Sequence, residues 1–532
     1  MASNHHDFII VGAGPAGLQA ALFLQGKGQD YLMLEKKEDV GSHWAKFPRH
    51  RRLISINKKY TGSKNPDFKL RHDWNSLLTE GENETLFTSY TDDLYPTADD
   101  LLQYMKDVFN KYLPKTKFGV DITKISKDAS GKFLLETQCE TYTCNYLLMG
   151  TGGTPWIPQI PDIETEGIDY YHNVSLDKKE FIDKRVLIIG KGNSAFECGE
   201  HLADSAAVIH FVSPKHINFA WNSHFVGDLR AVRNNILDMY QLKSQHAILN
   251  ATITGIQYDT STDHPFKVSF DFTYTPEDPC SVMHYDRIIA CTGFKYVNLD
   301  LFDLETVPVK IDPRKECKGK FPLINHLWQF EGIPNMFAIG ASMQTVNFRK
   351  NAGGFIHGFR YTIRTLIDII LEKEKSIPLP YSSINNCSEA VLTKTLERIN
   401  NASSLYQMYA ELCDVIVESS EEDNTIEYYY DIPYGYITER FRGRKTIVLF
   451  FNFGNRNGED AFTFVSKATP LHPEESAFLH PIIQSLGIDG TVEDEIHLLE
   501  NLETKWSLSD SGIKKLQKIL EKSFSHKIPA LT

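Results

Sequence analysis

The chain has 532 residues, a formal net charge of -13, 42% apolar residues and 23% charged residues. That length allows about two to four domains, and the composition is that of an ordinary globular protein with sizeable cores. The acidic balance and the lack of any Lys/Arg-rich block exclude a nucleic-acid partner, which would need a basic face.

Phe8-Ile9-Ile10-Val11 predicts a fully buried parallel strand. Gly12-Ala13-Gly14-Pro15-Ala16-Gly17 follows at once, and Leu18 to Gln25 then reads as a helix. In such a fingerprint Gly12 permits the tight turn and Gly14 lets the backbone approach a pyrophosphate. Gly17 lets helix and strand pack closely. Pro15 and Ala16 complete the loop, and the helix presents its first amides and positive dipole end to the phosphates. The next strand, Tyr31 to Leu34, ends at Glu35. That acid lies roughly 20 residues past the glycines, where a carboxylate takes ribose hydroxyls.

Leu134 to Cys144 alternates as a β-arm, with Cys139 and Cys144 on its two sides. These read either as a redox dithiol or as small packed cysteines, and the second reading is preferred. None of the cysteines forms a C-x-x-C pair, which points to reduced thiols in a cytoplasmic protein. Tyr146 to Met149 predicts a buried strand closing in Gly150-Thr151-Gly152, and Pro155, Pro158 and Pro161 mark a linker.

A second fingerprint has the same context. Arg185 to Ile189 is the strand, Gly190-Lys191-Gly192-Asn193-Ser194-Ala195 the loop, and Ala195 to Leu202 the helix. Ala195 stands in for the third glycine, which the motif tolerates. Val208 to Val212 then ends in Ser213-Pro214-Lys215-His216 with no acid. The Ser213 hydroxyl and the Lys215 cation suit a 2′-phosphate, so NADPH is expected over NADH. Asn193 and Ser194 are expected at that cofactor's phosphates. Two dinucleotide crevices in one chain predict hydride transfer between them.

Arg287 to Cys291 is a further strand, ending in Thr292-Gly293. Asn335 to Gly340 reads as a strand and turn, and Gly353-Gly354-Phe355 opens a helix to about Leu371. From about residue 381 the composition changes. An acidic run at 418–423 is followed by Tyr428-Tyr429-Tyr430, a strand from Thr446 to Phe453, and a lysine-rich helix from Gly512 to Phe524. Ile513, Leu516, Ile519, Leu520 and Phe524 share one face of that helix. It reads either as a membrane-surface anchor or as a helix docked on the core, and docking is preferred. The predicted fold class is α/β, with two Rossmann-like dinucleotide-binding domains and a C-terminal α+β domain. The first domain takes 1–165 and 289–380, the second 166–288, and a cap or interaction domain 381–532.

The order of these motifs, with Gly41-Ser42-His43-Trp44 between them and Thr292-Gly293-Phe294 after them, resembles the superfamily of flavin-containing, Baeyer–Villiger and N-hydroxylating monooxygenases. Longer runs are similar to the FAD-dependent oxidoreductase family of the endoplasmic reticulum lumen. They are Phe47 to Arg51, Leu53 to Lys58, Leu70 to Leu78, Gly353 to Tyr361, Leu405 to Met408 and Phe478 to Pro481.

The resemblance implies FAD in the first crevice and NADPH in the second. It implies insertion of one oxygen atom from molecular oxygen, through a flavin C4a-hydroperoxide, into a small amine, thioether or carbonyl compound. Asn57 matches the asparagine placed over the isoalloxazine and is the expected catalytic residue. Trp44 covers the ring or only packs in the core. His357 and Arg360 are expected at the flavin pyrimidine edge, where donors and a positive dipole stabilise a reduced anionic flavin. Thr151 and Gly340 join the cofactor-binding set. His172 sits where the Baeyer–Villiger histidine would, but the preceding Phe-x-Gly is out of register. The alternative is an NAD(P)H-dependent oxidoreductase passing electrons to a protein or disulfide partner without oxygen insertion.

The first strand begins by Phe8, no lumenal leader or retention tail is seen, and no uncharged run reaches the roughly 18 residues of a spanning helix. These points lead to the expectation of a cytoplasmic protein without membrane association, compatible with a homodimer. No histidine spacing suggests a metal site.

Overall fold

The structure is a computed structural model. It describes residues 4–79, 85–157, 166–217, 235–243, 247–273, 281–418, 425–454, 468–508 and 512–523. The strand His5–Val11 lies at the centre of the first sheet, parallel to Tyr31–Leu34 on one side and to Thr141–Met149 on the other. Phe8, Ile9 and Ile10 are fully buried. A strand covered on both faces reads as a continuous apolar run and does not alternate. Met336–Ala338 returns from far along the chain to pair in parallel with Thr141–Met149. The helix Pro15–Gly26 begins with Pro15 in its first turn, where the missing N–H costs nothing. It is apolar on most of its circumference because it is sandwiched between this sheet and the long helix Ile356–Lys375.

The antiparallel arm is Phe133–Thr137 against Thr141–Met149. Cys144 is buried in it opposite Phe133, whereas Cys139 lies exposed in the connecting turn. The two cysteines are therefore not partners across the arm.

The second sheet runs, edge to edge, through Val282–Tyr285, Phe266–Phe272, Ala247–Tyr258, Val208–Ser213, Arg185–Ile189, Arg287–Ala290 and Asp169–Tyr170. Arg185–Ile189 is parallel to both of its neighbours. The second fingerprint thus leaves the sheet where the strand order reverses, the place at which open α/β sheets hold ligands. The expected boundary at 288 falls inside the strand Arg287–Ala290.

The C-terminal region forms an antiparallel sheet of six strands, from Tyr381–Asn385 at one edge to Val492–His497 at the other. One face is covered by the helices Ser388–Asn401 and Ile513–Ser523. Ile513, Leu516, Ile519 and Leu520 are buried there, so this helix is docked on the core and presents its lysines outward. Phe524 and most of the acidic run at 418–423 lie outside the described residues. The opposite face of the sheet packs on Ile369 of the long helix, joining the C-terminal sheet to the first domain. No helix among the described residues is long and apolar enough to cross a membrane.

Candidate active site

Both fingerprints open into one cavity of about 670 Å³. Gly12, Gly14, Pro15 and Ala16 line it from the first, and Asn193 and Ser194 from the second. The glycines divide the work differently. Gly12 has φ +104°, and a Cβ on it would stand 2.5 Å from the Gly150 carbonyl oxygen. Gly17 is turned away from the cavity, and its Cβ would stand 1.9 Å from the Gly12 carbonyl oxygen. At Gly14 a Cβ would meet nothing within 4 Å, so its open side is cavity. Glu35 lines the wall with both oxygens engaged. It accepts from the Ala13 N–H at 2.7 Å and from the Lys37 N–H at 2.9 Å, tying the strand end to the glycine loop.

Trp44, Thr151, Gly340 and His357 also line the cavity. Trp44 is partly buried against the main core and lines the cavity. Gly340 has φ +77° and leaves only 2.8 Å between a Cβ and the Ala16 methyl. His357 stacks on Trp74 at 4.3 Å between ring centroids. Beside them stands Asn75, which the sequence reading passed over although it lies in the quoted run Leu70 to Leu78. Asn75 lines the cavity and is 1% exposed. Its Oδ1 accepts from Ser55 Oγ at 2.6 Å, and its Nδ2 donates to the Ile56 carbonyl at 3.2 Å.

Asn57 is not on the cavity wall. Its Nδ2 donates to the Thr91 carbonyl at 2.9 Å, and its backbone bridges to Asp73. The segment leaves the cavity after Ser55 as it pairs with residues 72–74. The carboxamide ties the Thr91 to Asp93 loop through Nδ2, while its Oδ1 is buried without a hydrogen-bond partner. Asn57→Ala is therefore expected to cost about 1–3 kcal/mol of stability while FAD content is kept. Denaturant unfolding and the flavin absorbance of the purified variant check both halves.

Arg360 is also off the wall. It is fully buried, donating from Nη1 to the Ser76 carbonyl and from Nη2 to the Leu70 carbonyl, both at 2.8 Å. Its fork holds the segment that carries Trp74 and Asn75.

At the second fingerprint Gly190 has φ +128°, and a Cβ there would stand 2.4 Å from the Cys291 carbonyl oxygen. Gly190, Gly192 and Ala195 shape the turn without lining the cavity. Ser213 and Lys215 are off its wall too, and the Ser213 hydroxyl donates to the Lys215 carbonyl at 3.2 Å. Lys191, itself off the wall, ties this strand end together. Its Nζ donates to the Ser213 carbonyl at 3.2 Å, the Lys215 carbonyl at 3.0 Å and Asn250 Oδ1 at 2.6 Å. Burial pulls its pKa down to about 8.

A strap from the first half locks onto the second. Phe47 is buried in the core of the second sheet and stacks on Tyr171. The Arg49 N–H donates to Tyr171 Oη at 3.0 Å, Tyr171 Oη donates to Glu197 Oε2 at 3.0 Å, and the His50 N–H donates to Glu197 Oε1 at 2.8 Å. Glu197 is 1% exposed and lines the cavity one helical turn beyond Asn193 and Ser194. On the same strap His43 lines the cavity, and burial pushes its pKa down to about 4, so its ring is neutral at physiological pH.

Residues 9–340, which contain both fingerprints and the strap, match the family model described as pyridine nucleotide-disulphide oxidoreductase. The chain belongs to this family. It is 32% identical to FAD-dependent oxidoreductase domain-containing protein 2 of Mus musculus, over 97% of this chain and 84% of that protein. Among solved structures it is similar to a bacillithiol disulfide reductase from Staphylococcus aureus, with 19% identity and a TM-score of 0.51 over 70% of this chain and 99% of that one. It is also similar to an ornithine N-hydroxylase from Kutzneria, with 15% identity and a TM-score of 0.51 over 70% of this chain and 100% of that one. Both likenesses establish the fold: the Rossmann-like halves are shared, and the antiparallel C-terminal sheet is an addition.

As a flavoprotein of the pyridine nucleotide-disulphide oxidoreductase family, the chain has a first crevice that suits FAD. The open side of Gly14 leaves room for a phosphate beside the start of the helix Pro15–Gly26. In the second crevice Asn193 Oδ1 is buried without a hydrogen-bond partner, a polar atom waiting for a donor.

The C-terminal sheet reaches this oxidoreductase site through Glu411. Its carboxylate accepts from Trp328 Nε1 at 3.1 Å and Asn351 Nδ2 at 2.8 Å, and Asn351 Oδ1 accepts from the Gly353 N–H just before the cavity-lining Gly354. Burial raises the Glu411 carboxyl from 4.5 to about 7. The folded protein therefore holds that proton more tightly than the unfolded chain. Its contribution to stability is full below the ordinary carboxyl pKa and is lost as pH rises through about 7. Thermal unfolding followed between about pH 5 and pH 8 should show the midpoint falling in the parent and a flatter profile in Glu411→Gln.

Proposed function

We propose that this flavoprotein is an NADPH-driven monooxygenase that inserts one oxygen atom from molecular oxygen into a small amine, thioether or carbonyl compound. One observation carries the reading: a single cavity is lined by both fingerprints, with the strap at Phe47 and Glu197 holding them face to face. Bound FAD would supply two-electron chemistry and reaction with oxygen. The residues named here supply position and environment. Gly14 and the helix start would take the FAD pyrophosphate, and the backbone N–H groups at Asn193 and Ser194, which open the second helix, that of NADPH. Lys191 holds the end of the strand at Ser213 and Lys215 in place, and the Lys215 ammonium with the Ser213 hydroxyl would take a 2′-phosphate. Trp74, Asn75 and His357 close the far wall and exclude water. The Asn75 carboxamide, oriented by Ser55 and the Ile56 carbonyl, takes the donor role expected of Asn57. Among the described residues no cysteine lines this cavity, which favours oxygen insertion over electron transfer through a cavity dithiol.

Stopped-flow reduction of the FAD-loaded protein tests the reading, followed by oxygen uptake across a panel of amines, thioethers and ketones. Reduction should be faster at low cofactor with NADPH than with NADH. Lys215→Ala should narrow that gap by about 1–2 kcal/mol, the size of a charge-assisted contact. Equal reduction by the two cofactors would refute the NADPH assignment. Reduction without oxygenated product, but with electrons delivered to a disulfide substrate, would favour the reductase alternative.

A further inference from the structure

We propose that Cys198 and Cys291 form a reversible disulfide that ties the helix of the second fingerprint to the strand beside it. Cys198 lies on the helix Asn193–Leu202, and Cys291 directly follows the strand Arg287–Ala290. The two are 93 positions apart in the chain, yet the Cys291 thiol donates to Cys198 Sγ at 3.9 Å. Both side chains are buried in the core of the second sheet. A disulfide needs its sulfurs at about 2.05 Å, so forming it draws the two side chains, and the backbone that carries them, about 2 Å closer together. Cys291 also faces a small side pocket, whose walls at Tyr171, Ser194 and Phe294 are shared with the main cavity. Cys291 is 6% exposed beside that pocket and Cys198 2%, so Cys291 is the more accessible of the two sulfurs.

The oxidant is hydrogen peroxide. In the first step the Cys291 sulfur attacks one peroxide oxygen. An S–O bond forms, the O–O bond breaks, and the departing hydroxide leaves as water with the thiol proton. In the second step the Cys198 sulfur attacks the Cys291 sulfenic acid. The S–S bond forms, the S–O bond breaks, and the oxygen leaves as water with the Cys198 proton. The sulfur pair loses two electrons, one peroxide gains them, and two waters are released. A low-molecular-weight dithiol reverses the bond by exchange. The hydrogen bond with Cys291, together with burial, holds the Cys198 thiol well above the ordinary thiol range, so its attack must await loss of that proton and the second step is the slower one.

The bond would act on the fingerprint turn. The Cys291 carbonyl packs on the turn at Gly190, where a Cβ would stand 2.4 Å from it, so drawing Cys291 toward the helix shifts a group that rests on the fingerprint turn. Misplacing a cofactor by about 1 Å can cost ~100-fold in rate, so flavin reduction by NADPH is expected to slow by ~10-fold or more. This consequence rests on the two-cofactor reading above.

The test uses the full, FAD-loaded chain treated with hydrogen peroxide and then with N-ethylmaleimide, digested and mapped by mass. Exposed Cys139 and Cys387 report that the oxidant has acted. A cross-linked peptide joining Cys198 to Cys291 should appear, vanish on dithiothreitol treatment, and be missing from Cys198→Ser and from Cys291→Ser. NADPH-driven flavin reduction should fall and recover in step with it. Recovery of both cysteines as maleimide adducts while Cys139 and Cys387 are oxidised would overturn the proposal, as would slowing that persists in Cys291→Ser. If the untreated protein is not reduced by NADPH at all, the proposed function fails, and the disulfide is judged by the peptide map alone.

Discussion

Gly14→Val is expected to give a folded protein that no longer holds FAD. The backbone at Gly14 is extended, with φ -78° and ψ -175°, a conformation any residue adopts. A Cβ there meets no protein atom within 4 Å. Nothing in the fold itself therefore opposes the substitution. The branched side chain instead fills the space beside the first helix turn, where a pyrophosphate must come close. Steric intrusion of this kind costs about 3 kcal/mol, or ~100-fold in affinity, and more if the loop does not yield. Absorbance of the purified protein, an FAD titration and a circular dichroism spectrum together check this. The contrast is Gly17→Ala, whose Cβ would sit 1.9 Å from a backbone oxygen and should damage folding directly. A Gly14→Val protein that remains yellow with unchanged FAD affinity would remove the phosphate cradle from the first crevice.

Glu197→Ala is expected to slow NADPH-driven flavin reduction by ~100-fold while leaving FAD bound. Glu197 accepts from Tyr171 and from the His50 backbone, and these bonds bring the strap of the first half to the helix carrying Asn193 and Ser194. Truncation leaves two buried donors without their acceptor, at about 1–3 kcal/mol each. The strap then slackens, and the two crevices lose their fixed separation. FAD is held by the first half and should remain at full occupancy. Glu197→Gln keeps one carbonyl oxygen and should fall between parent and Ala. The discriminating measurement separates NADPH affinity from the limiting reduction rate: a positioning role lowers the rate more than the affinity. Loss of FAD, or an unchanged limiting rate, would show that Glu197 does not set the separation.

Much of this architecture was legible in the sequence because the signals are local. A buried parallel strand is a run of apolar residues, a phosphate turn is a run of glycines, and both occur twice in the same order. The docked C-terminal helix was legible from the spacing of Ile513, Leu516, Ile519 and Leu520, which puts them on one face. What the sequence left open is direction. Asn57 and Asn75 lie in neighbouring segments that pair with each other, and either could have faced the flavin crevice. Spacing along an irregular segment does not say which carboxamide points inward. Arg360 follows His357 by one helical turn, yet its longer side chain reaches the carbonyls of Leu70 and Ser76. Between its two glycines Lys191 carries no local signal, and only the neighbouring strand ends show where its ammonium goes.

The sequence by itself determined the two dinucleotide turns, the strands and helices that carry them, and the appended C-terminal domain. Each depends on residues close together in the chain, whose backbone preferences and apolar periods act locally. Tertiary structure alone decided that the two crevices share one cavity, that Phe47 and Glu197 fix their separation, and that Cys198 meets Cys291. Those facts arise from contacts between residues about a hundred or more positions apart. Such contacts are set by how whole sheets and helices pack, and no local preference records them.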